Sequence, residues 1–200
     1  MRHYLRLLLV SLAAGSASLF ADPAVGAPAP DFAAKDASGR AVKLSDHKGK
    51  IVVLEWFNPG CPFVKKFYAP GKMQELQKTY AAKGVVWITV ASTNAKHRDH
   101  LDGPALTKKV AEWKASPSVI LDDTDGAVAR LYAAKTTPHL FVVGADGKLL
   151  YKGAIDSGRS PKSDEIATAT PHLANALDAA LAGKTPAPAE TKPYGCGVKL

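Results

Sequence analysis

Short apolar runs rich in β-branched and aromatic residues alternate along this chain with stretches whose apolar residues recur at helical spacing. The run at 51–57 is bounded by Gly49 and Pro59 and is typical of a strand buried on both faces. Further strands are predicted at 31–35, 41–44, 85–91, 119–121, 140–143 and 149–153. Helices are predicted over 62–84 with an interruption at Pro70, over 105–114, over 125–132 with Asp125 as its cap, and over 172–181.

The order of these elements predicts the fold class. The first two strands flank the turn 36–39 and form a hairpin. The order β-α-β-α-β-α-β-β-α that follows begins with crossovers that make strands parallel and ends with a second hairpin. We predict an α/β fold in which helices flank a central mixed β-sheet, with an N-terminal β-hairpin extension. One domain is expected over 22–182, followed by a Pro-rich tail at 183–200 that carries Cys196.

The first 21 residues have the pattern of a secretory signal. A basic start with Arg2 and Arg6 precedes the apolar stretch 7–12, and small residues continue to Ala21, near which we expect cleavage. The apolar stretch is shorter than the ~20 residues of a membrane-spanning helix, so no stable span is expected after cleavage. An exported, periplasmic protein is predicted, with an uncleaved anchor as the alternative.

Composition indicates a globular protein and excludes some partners. Hydrophobic residues make up 46% of the 200 positions and charged residues 22%, which is enough apolar material for a core. The net charge is +8 at pH 7, but the basic residues are scattered and form no run typical of nucleic-acid binding. We therefore expect no nucleic-acid partner, and no motif calls for a cofactor.

Only two cysteines are present, Cys61 and Cys196. A chain of this length does not need a disulfide to fold, so the two residues call for a chemical explanation. Cys61 lies where the strand 51–57 turns into a helix, with Pro62 at the first helical position. Because a helix N-terminus stabilises a thiolate, and Lys65 and Lys66 would add positive potential, Cys61 is predicted to be a reactive thiol.

Three segments around this turn resemble the thioredoxin-like superfamily. They are Ile-Val-Val-Leu-Glu-Trp-Phe at 51–57, Gly-Cys-Pro-Phe-Val at 60–64 and Thr-Thr-Pro-His-Leu-Phe at 136–141. The segments 25–32 and 44–50 are similar to the redoxin branch, which includes the alkyl hydroperoxide reductase/thiol-specific antioxidant, or peroxiredoxin-like, proteins. The resemblance implies a thioredoxin fold in which the cysteine at the start of the first main helix faces a cis-proline, here Thr137-Pro138.

The sequence departs from both active-site patterns of these relatives. Val64 stands where thioredoxin-type oxidoreductases have their second cysteine, so no Cys-x-x-Cys pair exists. Leu54 and Asn58 stand where peroxiredoxins have proline and threonine or serine. The resemblance therefore implies thiol-based redox chemistry at Cys61, and it leaves open whether the substrate is a peroxide or a disulfide.

The resemblance also implies roles for other residues. Glu55, six positions before Cys61, matches the buried acid that handles protons in thioredoxin, and burial should raise its pKa. Cys196 is the candidate resolving thiol, if the tail reaches Cys61, with a thiol reductant protein as a candidate partner. Pro138 is assigned to the catalytic site. The expected substrate-binding residues are Pro62, Thr137 and Asn58.

Two other interpretations stay open at this point. Cys61 could act as a metal ligand with His139, or as a docking thiol for an exported partner, in a module without catalytic activity. Cys61 and Cys196 could instead form a static disulfide. A metal site at His97 and His100 is disfavoured because histidines in polar loops are usually solvated, and no metal is predicted. The oligomeric state is left open.

Overall fold

The computed structural model describes residues 22–200, so the predicted secretory signal lies outside the described part of the chain. Nine strands are formed: β1 (Ala33–Asp36), β2 (Ala41–Lys43), β3 (Val52–Trp56), β4 (Val86–Ala91), β5 (Val119–Asp122), β6 (Thr136–Thr137), β7 (Leu140–Val143), β8 (Leu149–Gly153) and β9 (Cys196–Gly197). The α-helices are α1 (Pro62–Tyr68), α2 (Lys72–Ala81), α3 (Gly103–Glu112), α4 (Ala127–Leu131) and α5 (His172–Leu181). Within residues 22–200, no helix has the length and apolarity needed to cross a membrane.

Seven strands form one mixed sheet in the order β2-β1-β5-β4-β3-β7-β8. Strand β4 runs parallel to both β3 and β5. The pairs β3–β7 and β7–β8 are antiparallel, and the β1–β2 hairpin extends the other edge through an antiparallel contact with β5. The predicted fold class is confirmed, including the N-terminal hairpin.

Strand β3 is central and buried on both faces, which explains its unbroken apolar sequence. Because successive side chains point to opposite faces, Val53 packs into the core beneath α1, α2 and α5. Leu54 and Trp56 belong to the second core, on the side of α4. Glu55 shares the face of Val53, so its carboxyl group points toward α1 and α2.

The predicted interruption of the segment 62–84 is present: it forms two helices, separated at Gly71, whose φ is 83°. Two other helix starts have local causes. Helix α3 begins at Gly103, because Asp102 Oδ1 accepts a hydrogen bond from Ala105 N at 2.9 Å. Two carboxylates cap α4: the predicted Asp125 accepts from Ala127 N at 2.9 Å, and the buried Asp123 accepts from Val128 N and Ala129 N at 2.8 and 2.9 Å.

The Pro-rich tail returns across the fold. Thr191 N donates to Lys152 O at 3.1 Å, beside strand β8. Further along, β9 pairs with β6 in a separate two-stranded sheet, and Asn94 N donates to Lys199 O at 2.7 Å. Neither of these two short strands was predicted, and together they bring the end of the chain to the N-terminus of α1.

Candidate active site

The turn before α1 places the thiol of Cys61. Cys61 caps the helix in an extended conformation, and its backbone N–H donates to Asn58 O at 3.0 Å. The buried Asn58 side chain accepts a hydrogen bond from Gly60 N at 2.7 Å, which closes the turn. Pro62 follows as the first helical residue and is exposed. The turn thus holds Cys61 at the end of β3 with only 2% of its surface exposed.

The segment before β7 faces this thiol. The peptide bond Thr137-Pro138 is cis, as the resemblance implied. The Cys61 sulfur lies 3.0 Å from Thr137 O, so the backbone of the cis-proline segment contacts the thiol. The Thr137 hydroxyl is buried and has no hydrogen-bond partner among residues 22–200. Cys61, Thr137 and Pro138 are therefore brought together.

Cys196 completes the group, although the sequence left its reach open. Strands β6 and β9 pair antiparallel, with Cys196 opposite Thr137. The sulfur atoms of Cys61 and Cys196 are 2.8 Å apart and are not joined by a disulfide bond. Gly195 permits this approach: its φ is 143°, and a Cβ atom there would lie 2.1 Å from Thr137 O.

The pKa values of the two thiols are shifted in opposite directions. Burial by itself would raise the pKa of Cys61, but hydrogen bonds from Cys196 and from Val64 N lower it. The pKa of Cys196 is raised, first by burial and then by its hydrogen bond to Cys61 and the charge on that group. The favoured ionised state is therefore a Cys61 thiolate that accepts a hydrogen bond from the Cys196 thiol.

Glu55 lies at the centre of a buried hydrogen-bond network. Its carboxylate accepts from Trp87 Nε1 at 2.7 Å, Tyr68 OH at 2.8 Å, Thr89 Oγ1 at 3.2 Å and Gln77 Nε2 at 3.4 Å. Burial raises the pKa of Glu55, as expected, although these four donors oppose the shift. Two helices and one strand thus supply the donors that a wholly buried carboxyl group requires.

The network does not touch the Cys61 sulfur. Within the described part of the chain, the hydrogen bonds of Glu55 end at its four donors, of which Tyr68 lies on α1. A proton shared between Glu55 and Cys61 therefore has to pass through intervening groups.

The Lys66 ammonium, expected to add positive potential at Cys61, lies in a buried cluster with partners of its own. The Lys66 side chain is fully buried, and its Nζ donates to Gly158 O at 2.5 Å. Nζ also lies 3.8 Å from Asp156 Oδ1 and 3.4 Å from Tyr194 OH. Hydrogen bonds, rather than lysine side chains, lower the pKa of Cys61.

The histidines considered as metal ligands have other contacts. His139 is buried, accepts a hydrogen bond from Lys135 N at 3.3 Å and packs on Phe141 with ring centres 4.4 Å apart. Burial lowers the pKa of His139 to about 3. The Nδ1 atoms of His97 and His100 contact the backbone. Within 22–200, no group of three or more His, Cys, Asp or Glu residues is placed to hold a metal ion.

Comparison with known proteins agrees with this architecture. Residues 25–152 match the AhpC/TSA family. The chain belongs to that family. The matched region contains the Cys61 turn, the Glu55 network and the cis-proline segment, and it ends before the tail that carries Cys196.

Individual relatives of this AhpC/TSA chain include redox proteins. The thiol-disulfide oxidoreductase ResA of Bacillus subtilis is 28% identical over 125 residues, which cover 62% of this chain and 64%, less than two thirds, of that relative. An uncharacterized conserved protein from Geobacillus kaustophilus superposes with a TM-score of 0.75 at 30% identity, covering 88% of this chain and 92% of the other. A protein assigned as the thiol:disulfide interchange protein DsbE from Chlorobium tepidum gives 0.53 at 30% identity, covering 65% and 84%. The thioredoxin fold is thereby confirmed.

Proposed function

We propose that this protein is a thiol–disulfide oxidoreductase that cycles between a Cys61–Cys196 dithiol and disulfide. The observation that carries the proposal is the 2.8 Å separation of the two sulfurs, one of which has a lowered pKa. Relatives named ResA and DsbE, described as thiol-disulfide oxidoreductase and interchange proteins, support a disulfide as the substrate. Cys196 then takes the part that the second cysteine of a Cys-x-x-Cys motif plays elsewhere.

The proposed reaction has two exchange steps. The Cys61 thiolate attacks one sulfur of the substrate disulfide, which forms a mixed disulfide and releases the first substrate thiolate. Cys196 loses its proton and attacks the Cys61 sulfur, which releases the second substrate thiolate and forms the Cys61–Cys196 disulfide. The substrate gains two electrons and the protein loses two. A thiol reductant protein restores the dithiol by the same exchange chemistry.

The surrounding residues have distinct parts in this proposal. Thr137 and Pro138 line the approach to the sulfur, and Pro62 offers an exposed surface beside it. Asn58 shapes the turn through its hydrogen bond to Gly60 rather than contacting the substrate. Glu55 acts as a buried proton acceptor that is linked to α1 by Tyr68.

Turnover of insulin disulfides by residues 22–200, with dithiothreitol as reductant, tests the proposal. Cys61→Ser should abolish turnover, because the attacking sulfur is lost. Cys196→Ser should stop after the first step and accumulate a mixed disulfide at Cys61, identified by mass spectrometry. Turnover that is unchanged in Cys61→Ser would refute the proposal.

Peroxide reduction is the second candidate, because the AhpC/TSA family is named for alkyl hydroperoxide reductase and thiol-specific antioxidant proteins. Hydrogen peroxide replaces insulin in the same assay. A peroxidase should consume peroxide, and its Cys196→Ser variant should accumulate a sulfenate on Cys61. Rapid disulfide turnover with negligible peroxide consumption would favour the first candidate.

The location in the cell envelope is also part of the proposal. It is supported by the basic, apolar and small-residue pattern of 1–21, and an oxidising compartment suits a cycling disulfide. Expression of the full chain, followed by periplasmic extraction and measurement of the mature mass, tests this. A chain that keeps its first 21 residues in the membrane fraction would support the uncleaved anchor instead.

A further inference from the structure

Cys196 approaches Cys61 from a segment that has little secondary structure of its own. Strand β9 contains two residues, and the isolated bridge Thr93–Lys199 follows it. Two residues of ladder do not by themselves fix a chain segment, because short two-stranded ribbons are only marginally stable in water. Other contacts are therefore needed to hold the Cys196 sulfur at 2.8 Å from Cys61.

A buried charged cluster lies immediately beside this segment. Tyr194, separated from Cys196 by Gly195 alone, donates a hydrogen bond to Asp156 Oδ1. Asp156 in turn lies 3.8 Å from the Lys66 ammonium. The Tyr194 ring covers Lys66 Nζ at 5.4 Å and packs edge-on against Phe63 at 5.9 Å. The tail thereby contacts α1, the helix that begins directly after Cys61.

The charges in this cluster require the tail to be docked. The Lys66 side chain is fully buried and Asp156 is 4% exposed. A buried ammonium group is tolerated only with close partners, and Lys66 has Gly158 O, Asp156, Glu165 Oε2 at 4.0 Å and the Tyr194 side chain. Part of this shell is supplied by the tail, so undocking Tyr194 would expose the pair to water or leave it incompletely bonded.

We propose that Lys66, Asp156 and Tyr194 are positioning residues that hold Cys196 against Cys61. This inference rests on the proposed redox pair and adds the groups that set its geometry. Two residues of chain span at most about 7 Å, so a fixed Tyr194 confines Cys196 to the neighbourhood of the Cys61 sulfur. Preorganised groups react intramolecularly with effective concentrations far above the millimolar values of flexible tethers.

The test compares Tyr194→Phe with Tyr80→Phe. The first removes the hydroxyl group but keeps the ring on Phe63 and Lys66. The second removes a comparable hydroxyl, which donates to Ala174 O at 3.1 Å and Asp178 Oδ1 at 3.2 Å between α2 and α5. Two quantities are measured: the equilibrium constant of the Cys61–Cys196 disulfide against glutathione, and the pKa of Cys61 from thiolate absorbance.

Tyr194→Phe should lower the equilibrium constant about tenfold and raise the pKa of Cys61, because hydrogen bonds involving a charged group are the stronger ones. Tyr80→Phe should leave both quantities unchanged, even if it lowers the melting temperature by as much as Tyr194→Phe does. The double variant Lys66→Met/Asp156→Leu, which removes both charges together with the acceptor of the Tyr194 hydroxyl, should reproduce the effect of Tyr194→Phe.

The proposal would be overturned if, in both Tyr194→Phe and the double variant, the equilibrium constant stayed within twofold of the wild-type value and the pKa of Cys61 did not change. A general loss of stability is recognised by an equal effect in Tyr80→Phe, and that outcome would also contradict it. Failure of the wild type to form any Cys61–Cys196 disulfide would instead refute the redox pair. The Cys61 titration does not depend on disulfide formation and still tests the positioning role in that case.

Discussion

Cys196 lies directly opposite Thr137 in the β6–β9 ladder, and this pairing sets the Cys196 sulfur 2.8 Å from Cys61. Cys61 and Cys196 are 135 positions apart in the chain. The place of a local second cysteine is occupied by Val64, which is buried in the core. A thiol pair is thus assembled from the first main helix and the far end of the chain.

Gly195→Ala should separate this pair. The methyl group would meet Thr137 O, and a non-glycine residue at φ 143° costs about 1–3 kcal/mol. We expect disulfide formation against glutathione to fall about tenfold or more. Gly197→Ala is the matched control, because a Cβ there meets nothing within 4 Å among the residues described. An equal effect of both substitutions would show that the approach at Gly195 is unimportant.

The Cys196 thiol should control the acidity of Cys61. Cys196→Ala removes a hydrogen-bond donor that lowers the Cys61 pKa, so the pKa should rise. Cys196→Ser keeps a hydroxyl donor at the same place and should have a smaller effect. Thiolate absorbance as a function of pH measures both variants, and identical titrations in the two would contradict the assigned hydrogen bond.

In the oxidised protein, an external thiol should attack Cys61, because this attack is the reverse of the second exchange step and releases Cys196. Brief treatment with glutathione, acid quenching and alkylation should therefore place glutathione on Cys61 and the alkyl group on Cys196. The same protein in denaturant provides the control, in which both cysteines should be labelled. Glutathione found mainly on native Cys196 would contradict the proposed order of steps.

Glu55 should make stability depend on pH. Its pKa is raised above the ordinary 4.5, so the folded state binds this proton more tightly than the unfolded state. The resulting stabilisation is complete below the unfolded pKa and is lost as pH rises through the raised folded value. Glu55→Gln should remove this contribution to the slope of the unfolding free energy against pH. Urea unfolding measured at a series of pH values between the unfolded and the folded pKa of Glu55 checks this.

The matched control for this measurement is Glu75→Gln, because Glu75 is exposed on α2. It should leave the slope of the unfolding free energy against pH unchanged. Glu55→Gln should also lower stability near neutral pH, since an amide cannot accept all four hydrogen bonds that the carboxylate receives. If Glu55→Gln had the same slope of unfolding free energy against pH as the wild type, Glu55 would not titrate in this range.

The central sheet could be predicted because its strands carry strong local patterns. Strand β3 is an unbroken apolar run, and the turn at Gly147 separates β7 and β8 as a hairpin. Strands β6 and β9 could not be predicted in this way. Each has two residues, too few for a period, and each exists because the tail meets the cis-proline segment.

The candidate site was only partly predictable for a similar reason. Cys61 and Glu55 are six positions apart in one continuous segment, a spacing that can be recognised in the sequence. The burial of Glu55 follows from its place in strand β3. The burial of Lys66 could not be predicted, since lysines on helices are usually exposed and its partners, Asp156 and Tyr194, are remote in sequence. The sequence signal for the contact between the tail and Lys66 was Tyr194, an aromatic residue next to Gly195 and Cys196 in an otherwise Pro-rich tail.

The route of the tail has a mechanical consequence. A bond between Cys61 and Cys196 would close a covalent ring around 135 positions, which include α1 to α5 and every strand from β4 to β8. By the chain-entropy relation, such a closure disfavours the unfolded state by about 5 kcal/mol. Each turnover would then switch the protein between an open chain and a cyclised one, and its resistance to unfolding and proteolysis would record its oxidation state.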